Sequence, residues 1–358
     1  MAAPIDVTAL TLSAKENPDF SKFVFEKMFD QSDLASNHRV WTGVQMKEQI
    51  VFASLFGLSG IKDAGTSRPN SGGKPVFTEK FWEPAKVGDT MIFNQSEVNS
   101  LFKAYFNNIK KYTEIYDITG TDEEKFLMEV FSQSAKLAIN RLIWLGDTAV
   151  AASGVAASGL IDAANVKFYD AINGIFKKVY AAVTAGTLGR FTITKNAAAT
   201  FALQALAADE ALTIFEGVWA KADPRLKSDP TKVMFVTNSI FENYRQSLQT
   251  KGTPYDVTLT TDGFAELRWN GVQIRNMETI WDVNLIANFE QTSAHAAWDK
   301  PHRALLTTPD NIPVATLNNG DMDTLEAFYF QKDRTNYMAY GFTLDAQLLE
   351  GYMAVAAY

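Results

Sequence analysis

The 358-residue sequence contains few groups whose types and spacing could carry out chemistry, and the first is a glycine-rich stretch. Residues 66–74 read TSRPNSGGK. A phosphate-binding P-loop has the pattern G-x-x-x-x-G-K-[ST], but Pro75 follows the Gly-Lys pair and the first glycine position falls on Arg or Pro. The tetrapeptide GLSG at 57–60 misses the last spacing of a G-x-S-x-G nucleophile elbow. No G-x-G-x-x-G pattern follows a strand and opens a helix, so the sequence predicts no nucleotide cofactor.

Histidine and cysteine indicate neither a metal site nor a nucleophile. The histidines are His38, His295 and His302, and none has the H-x-x-x-H or H-E-x-x-H spacing of zinc ligands. His295 and His302 lie in one proline-interrupted stretch and could meet, but the pattern favours exposed loop histidines. The chain contains no cysteine, which excludes disulfides, thiolate zinc sites and cysteine nucleophiles.

Carboxylates are abundant but are not arranged for a reaction. Asp321, Asp323 and Glu326 follow the sequence NNG, yet an EF-hand needs its glutamate at the twelfth position of the loop. A solvated turn is therefore the interpretation we favour. With 41 Asp and Glu residues in the chain, paired carboxylates carry no information about acid–base catalysis. The sequence predicts no catalytic, cofactor-binding or metal-binding residue, and a protein that is not an enzyme.

Composition limits the classes of partner. The formal net charge is −8, which argues against a protein that grips nucleic acid through clustered Lys and Arg, although an acidic wall beside nucleic acid would avoid adhesion. Hydrophobic residues make up 47% of the chain, enough for one elaborated domain or two. The N-terminus has no signal-peptide pattern, and no stretch reaches the ~20 apolar residues of a membrane span. A soluble protein made in the cytoplasm is expected.

The element that must organise the rest is a long helix at 122–148. Apolar or small residues recur in it at three- and four-residue steps and form one stripe. Acidic residues open the helix, where its dipole favours negative charge, and Gly146 is a natural stop. We expect this helix to pack against a C-terminal hairpin and a second long helix at 196–222. The stripe consists of Leu127, Val130, Phe131, Ser134, Ala138, Leu142 and Leu145.

Upstream of this helix, an arm is followed by a long two-stranded excursion. Residues 1 to about 45 predict an extended arm with one short helix at 18–29. The segment 50–94 alternates β-forming and charged residues around a loop tip at 66–74, and Pro84 confines it to an edge or a break. An isolated hairpin is barely stable in water, so this one should lie on a neighbour; an ordinary edge hairpin on its own domain is the alternative. Residues 98–116 predict a further helix.

Downstream of the long helix, the sequence pattern first predicts mixed helices and strands and then strands alone. Residues 167–183 are amphipathic. Residues 233–236 predict a buried strand followed by a helix, and Asn270-Gly271 sits between alternating strands as a hairpin turn. Residues 280–315 predict short strands broken by prolines. Segments 325–330 and 337–348 predict a final antiparallel hairpin around a polar turn.

This order of parts resembles the major capsid proteins of tailed bacteriophages, the HK97-like fold, and is closest in texture to those of phages of Bacteroidetes-type hosts. The stretch KFWEPAKVGDTMIFNQSEVNSLF at 80–102 is similar to the return strand of the family's extended loop, and NRLIWLGDT at 140–148 to the end of its spine helix. KVMFVTNSIFENYRQSLQTKG at 232–252, with the hairpin ELRWNGVQIRN, is similar to an axial domain, and GFTLDAQLLEGYMAVAAY at 341–358 to the closing strands of a peripheral domain.

The resemblance implies an α+β fold divided into five parts. These are an N-terminal arm at 1–49, an extended loop at 50–97, peripheral-domain helices at 98–230 with the spine helix at 122–148, an axial α/β domain at 231–315 and peripheral-domain terminal strands at 316–358.

The resemblance also implies a structural protein that assembles into hexamers and pentamers of an icosahedral or prolate shell around double-stranded DNA, without sequence-specific binding. Implied partners are other copies of the chain, a separate scaffolding protein, a portal and optionally a decoration protein, but no membrane. The protein would act in the virion after assembly in the host cytoplasm. The alternatives are another phage structural protein, such as a tail-tube or sheath subunit, and, further away, an α/β enzyme or ligand-binding protein.

Candidate contacts between subunits lie on the predicted extended loop. Some family members crosslink a lysine of the loop to an asparagine of a neighbouring subunit. Lys80 and Lys86 lie in the corresponding segment, and Asn318 and Asn319 precede the terminal strands. Because no carboxylate catalyst is recognisable, we interpret the lysines as surface residues and the asparagines as part of a turn. The candidate contact residues are Arg68, Phe77, Lys80, Phe81, Trp82 and Lys86.

Overall fold

The structure is a computed structural model. It describes residues 32–53, 62, 77–94, 122–150, 155–156, 159–251, 257–259, 265–289, 296–317, 324–330 and 335–358. Several predictions lie outside these residues: the helices at 18–29 and 98–116, the loop tip at 66–74, and the position of His295.

The helices and strands of the described ranges follow in chain order. The helices are α1 Ser32–Asn37, α2 Asp122–Leu145, α3 Ile175–Thr184, α4 Phe201–Gln204, α5 Glu210–Lys221, α6 Pro224–Ser228, α7 Asn238–Thr250 and α8 Val283–Asn288. The strands are β1 Val40–Thr42, β2 Gln49–Ala53, β3 Phe77–Phe81, β4 Ala85–Asn94, β5 Val155–Ala156, β6 Gly159–Leu160, β7 Gly189–Phe191, β8 Val233–Val236, β9 Val257–Leu259, β10 Ala265–Trp269, β11 Val272–Asn276, β12 Ala304–Thr307, β13 Val314–Thr316, β14 Thr324–Phe330, β15 Thr335–Ala346 and β16 Ala354–Ala357.

A mixed seven-stranded sheet separates two hydrophobic clusters. Its strand order is β7-β16-β12-β8-β11-β10-β9. Side chains alternate between faces along a strand, and in β8 Val233 and Phe235 belong to one cluster while Met234 and Val236 belong to the other. Every residue of β8 is buried, as expected for a strand covered on both faces. Helices α5 and α7 cover one face, and α2 and α3 cover the other.

The long helix α2 lies between the two large sheets. Its Trp144 ring is 5.5 Å from Phe235 of the seven-stranded sheet and 4.9 Å from Trp281. Toward the other end, the Phe131 ring is 4.7 Å from Tyr340 of β15. Helix α2 therefore joins the hairpin sheet to the seven-stranded sheet.

The predicted stripe of α2 is buried where its side chains are described. Phe131, Ala138, Leu142 and Leu145 are buried, and Ser134 is half-buried. The predicted contact with the terminal hairpin is confirmed. The predicted contact with the 196–222 segment is wrong, because α5 packs in the cluster on the opposite face of the seven-stranded sheet.

Two glycines fix the end of α2 against the start of α3. The Gly174 amide donates to the Gly146 carbonyl at 2.9 Å. A Cβ on Gly174 would lie 2.7 Å from the Gly146 nitrogen, and one on Gly146 would lie 2.5 Å from the Ile172 carbonyl oxygen. No side chain fits in this contact. The amphipathic stretch predicted at 167–183 is α-helical only from Ile175.

A five-stranded sheet is built around β15. Strand β14 pairs antiparallel with its first half as predicted, and β13 pairs with its end. Strand β4 covers the other side of β15, from Ala85 opposite Leu344 to Asn94 opposite Thr335. The predicted two-stranded excursion is therefore shorter than 50–94: only β2 and β3 pair with each other, and beyond Pro84 the chain joins this sheet.

The chain departs from the predicted pattern at two other helical segments. The predicted helix at 196–222 is broken between α4 and α5, because Asn196 and Gln204 turn inward to bond the backbone of His302 and Trp298. Residues 278–288, predicted as strand, are helical, and Trp281 and Leu285 are buried one helical turn apart. The Asn270-Gly271 hairpin is confirmed, with φ of 49° and 76° at the turn.

Candidate assembly surface

The paired strands β2 and β3, named here the ribbon, have two different faces. Val51 lies opposite Glu79 and Gln49 opposite Phe81, so these four side chains share one face. This outer face is exposed: the exposed fraction of Val51 is 53% and that of Phe81 is 44%. The ribbon thus presents apolar side chains and one carboxylate to its surroundings.

The inner face of the ribbon is tied to its own subunit through a small hydrophobic cluster. Trp82, which directly follows β3, is fully buried with Val44 and Ala315, and Ile50 packs against them. The Trp82 amide donates to the Glu48 carbonyl at 3.0 Å, and the Trp82 carbonyl accepts from the Lys47 amide at 2.8 Å. These contacts hold the base of the ribbon in place.

Polar groups complete this attachment. The Lys80 ammonium donates to the Leu348 carbonyl. The Asp345 carboxylate accepts from the Glu83 amide at 2.9 Å and contacts the Lys178 ammonium at 3.4 Å. Gln347 reaches the Phe81 carbonyl at 2.9 Å. The ribbon is therefore bonded to the segment that follows β15.

Two of these groups are lysines in a largely desolvated setting. Burial lowers the pKa of Lys80, and the Glu350 carboxylate opposes this effect. Burial also lowers the pKa of Lys178, against the stabilising charge of Asp345. Lys178 is more buried than Lys80. The negative charge of Asp345 is therefore needed to stabilise the charged form of Lys178.

The predicted contact residues divide between the two faces. Phe81 and Lys86 are exposed. The Lys80 ammonium is used within its own subunit, and the fully buried Trp82 offers no surface to a neighbour, so Trp82 is corrected to a core residue. Arg68, the side chain of Phe77, Asn318 and Asn319 lie outside the described residues.

Sequence reasoning missed the other half of the attachment. Lys178 lies in α3, Asp345 near the end of β15 and Gln347 just after β15, all far from the ribbon in the chain. A single signal was available: Asp345 is the one charged residue in the mostly apolar run GFTLDAQLL, where a buried charge requires partners.

The prediction of an exposed loop histidine is wrong for His302, which is buried, and His38, for which no exposure was predicted, is buried as well. The His38 Nδ1 donates to the Ile312 carbonyl at 2.9 Å, while its Nε2 has no hydrogen-bond partner in the described part of the chain. Burial lowers the pKa of His38 to about 4. The His302 Nε2 donates to the Gln204 carbonyl at 2.6 Å, which leaves Nδ1 to accept from Ser239 at 2.6 Å.

Two negative findings apply to the ranges that the structure describes. None of their helices is both long and apolar enough to cross a lipid bilayer. None of their His, Asp and Glu side chains gather in groups of three or more that could hold a metal ion.

Comparisons with known proteins identify the fold. No protein-family model and no curated protein matches the chain. Among solved structures, it is similar to a chain of the satellite phage P4 procapsid including size determination (Sid) protein. The TM-score is 0.51 at 12% identity, over 94% of this chain and 98% of that chain.

Two further structures score just lower. The capsid of the native GTA particle has a TM-score of 0.49 at 12% identity, over 90% of this chain and 88% of that chain. Gordonia phage Cozz has a TM-score of 0.49 at 8% identity, over 99% of this chain and 91% of that chain. The P4 procapsid match carries the conclusion: the chain has the α+β, HK97-like fold of phage capsid subunits, as the sequence resemblance predicted.

Proposed function

We propose that this protein is the major capsid protein of a tailed bacteriophage. It would assemble into pentamers and hexamers of a closed icosahedral or prolate shell that encloses double-stranded DNA. The observation that carries this proposal is the likeness to the P4 procapsid chain over nearly the full length of both chains. A fold alone does not define a function, so the proposal also draws on the surface of the subunit.

The ribbon supports the assembly proposal, because its exposed apolar side chains are unfavourable in water when the subunit is isolated. Its outer face exposes Val51 and Phe81, and a small cluster around Trp82 anchors its base. Exposed apolar surface of this kind marks contacts with other proteins. A contact in which one surface of a copy meets a different surface of the next copy closes into rings.

The subunit would be divided as the resemblance implies. We propose that 1–49 is an arm, 50–97 the extended loop, 98–230 the peripheral helices, 231–315 the axial domain and 316–358 the terminal strands. Within 50–97, only the part before Pro84 would leave the body of the subunit, because β4 pairs with β15. Strands β7 and β16 pair into the seven-stranded sheet from outside 231–315, so the peripheral and axial parts would share that sheet and move as one body.

Partners beyond the chain itself follow from the same proposal. A separate scaffolding protein would guide assembly, a portal would occupy one vertex, and a decoration protein would be optional. The net charge of −8 suits a wall along which packaged DNA moves without sticking. The protein would be made in the host cytoplasm and retained in the virion.

Sedimentation of the purified full-length protein, followed by electron microscopy, tests this function. We expect fast-sedimenting closed shells above a threshold concentration, alone or with the phage's scaffolding protein. Helical tubes would instead favour a tail-tube or sheath subunit. Monomers at every concentration and salt tested would contradict the proposal.

A further inference from the structure

A cavity with three cations lies on the side of the subunit where β4 passes α2. It has a volume of about 320 Å³ and lies between the start of β4, the C-terminal part of α2, residues 167–171 and Tyr340 of β15. Lys86, Arg141 and Lys167 line it, and Asp89 is the one carboxylate among its lining residues. The cavity is therefore electropositive on a chain whose net charge is −8.

The Arg141 guanidinium is positioned by neutral groups. Its Nε donates to the Phe168 carbonyl at 3.3 Å, and its centre lies 5.5 Å from the Phe168 ring and 5.6 Å from the Tyr169 ring. The Lys167 ammonium lies 5.0 Å from the same Phe168 ring. Within the described ranges, no carboxylate forms an ion pair with Lys86, Arg141 or Lys167, so their charges are available to an anion.

The shape of the cavity favours a side-chain carboxylate over duplex DNA. A cavity of this size is at the small end of the roughly 300–1,000 Å³ of ligand sites, and the convex surface of a duplex cannot enter it. A carboxylate on a protein segment can enter and accept charge-assisted hydrogen bonds from Arg141. The chain itself is a rich source, with 41 acidic residues against 33 basic ones.

The outer face of the ribbon has the matching chemistry. Glu79 is exposed there between the apolar side chains of Val51 and Phe81. The cavity offers three cations beside Phe168, whose exposed fraction is 43%. We propose that the ribbon of a second copy docks here, with its Glu79 carboxylate in the cavity and its apolar side chains against Phe168.

This contact rests on the proposed function, because it joins two copies of the chain. It is heterologous, since the ribbon of one copy meets the cavity of the next, and such contacts propagate around a ring. Its charged part weakens as ionic strength rises. It also assigns the exposed residues Lys86 and Phe81 to opposite sides of one interface.

Charge reversal of full-length protein tests the contact, with Lys86 as the first target because its side chain is exposed. We expect Lys86→Glu to raise the concentration needed for assembly about tenfold, the change that a loss of about 1.4 kcal/mol produces. Glu79→Lys should have a similar effect, and the double variant Lys86→Glu/Glu79→Lys should recover assembly. Lys136→Glu, which changes the same charge on α2 outside the cavity, serves as the control.

Zero-length carbodiimide coupling gives a second measurement. Shells built from equal amounts of ¹⁵N-labelled and unlabelled subunits should yield mixed-isotope peptides that join Glu79 to Lys86 or Lys167. Two results together would overturn the contact and leave the capsid function intact: both single charge-reversal variants form shells at the wild-type concentration, and coupled wild-type shells yield no such peptides. Lower DNA retention with unchanged assembly would assign the cavity to nucleic acid. Wild-type protein that never assembles would overturn both proposals.

Discussion

The seven-stranded sheet and the ribbon are both built from β-strands, but they are stabilised by different surroundings. Every residue of β8 is buried between two hydrophobic clusters. The ribbon instead has one small cluster beneath it and an open outer face. A paired ribbon of this kind is marginally stable in water. We therefore expect the sheet region to fold in an isolated subunit, and the ribbon to be stabilised by contacts with neighbouring subunits.

The largest effect is expected at Leu142, beneath the sheet. The exposed fraction of Leu142 is 2%, so Leu142→Asp replaces a buried apolar side chain with a carboxylate and should cost on the order of 4 kcal/mol of unfolding free energy. Chemical denaturation of the purified subunit measures it. Leu137→Asp is the matched control, because Leu137 lies on the same helix with an exposed fraction of 59%. If the Leu142→Asp subunit has wild-type stability, the face of α2 assigned here to the core is the wrong one.

Trp82→Ala should separate the two regions. Removing a buried indole costs about 3–5 kcal/mol where the structure depends on it, but here we expect the loss to be local. Hydrogen exchange of amides in β2 and β3 should accelerate, while protection in β8 and β12 stays unchanged. If β8 loses protection to the same extent, the ribbon and the sheet form one cooperative unit and the distinction fails.

Acid should weaken the core through His38. Its pKa is about 4 in the folded protein and about 6.5 when exposed, so the neutral ring stabilises the fold above pH 6.5. This contribution declines as pH falls from 6.5 toward 4, by about 3 kcal/mol in total. We expect His38→Gln to flatten the decline in melting temperature over this range.

The control for this pH dependence is Asp282, whose folded pKa is raised to about 6 by burial. The folded state holds that proton more tightly than the unfolded state, so its contribution rises as pH falls and opposes that of His38. Asp282→Asn should therefore steepen the acid decline. A His38→Gln profile parallel to wild type would contradict the assigned tautomer and burial.

The smallest effect on stability is expected at the tip of the extended loop. Deleting residues 66–73, which the sequence predicts to be a loop tip, should leave the melting temperature of the subunit unchanged, because exposed loop tips tolerate such changes. Shell yield should fall, since the loop is proposed to act on a neighbour. Wild-type yield from the deletion would remove that role.

Local signals predicted local structure well. The stripe of α2 and the Asn270-Gly271 turn depend on residues close in sequence, and both are confirmed. The pairing of β16 with β12 and β7 was not predicted, because the run AVAA has no register information of its own. The burial of His302 depends on Asn196 and Gln204, about a hundred residues away, and no local pattern encodes such a partner.

The candidate surface was predicted in part for the same reason. Alternation in β3 is enough to place Glu79 and Phe81 on one face, but which face meets the subunit is decided by the distant Ala315 and Leu348, which contact Trp82 and Lys80. The cavity at Arg141 combines four separate segments and could not be found from the sequence.

A cryo-electron microscopy reconstruction of assembled full-length protein tests the capsid assignment most directly. We predict a closed shell whose wall is formed by rings of five and six subunits, each with its ribbon on the adjacent copy and Val51 and Phe81 covered. Particles that are helical tubes, or a protein that stays monomeric with this face in solvent, would contradict it.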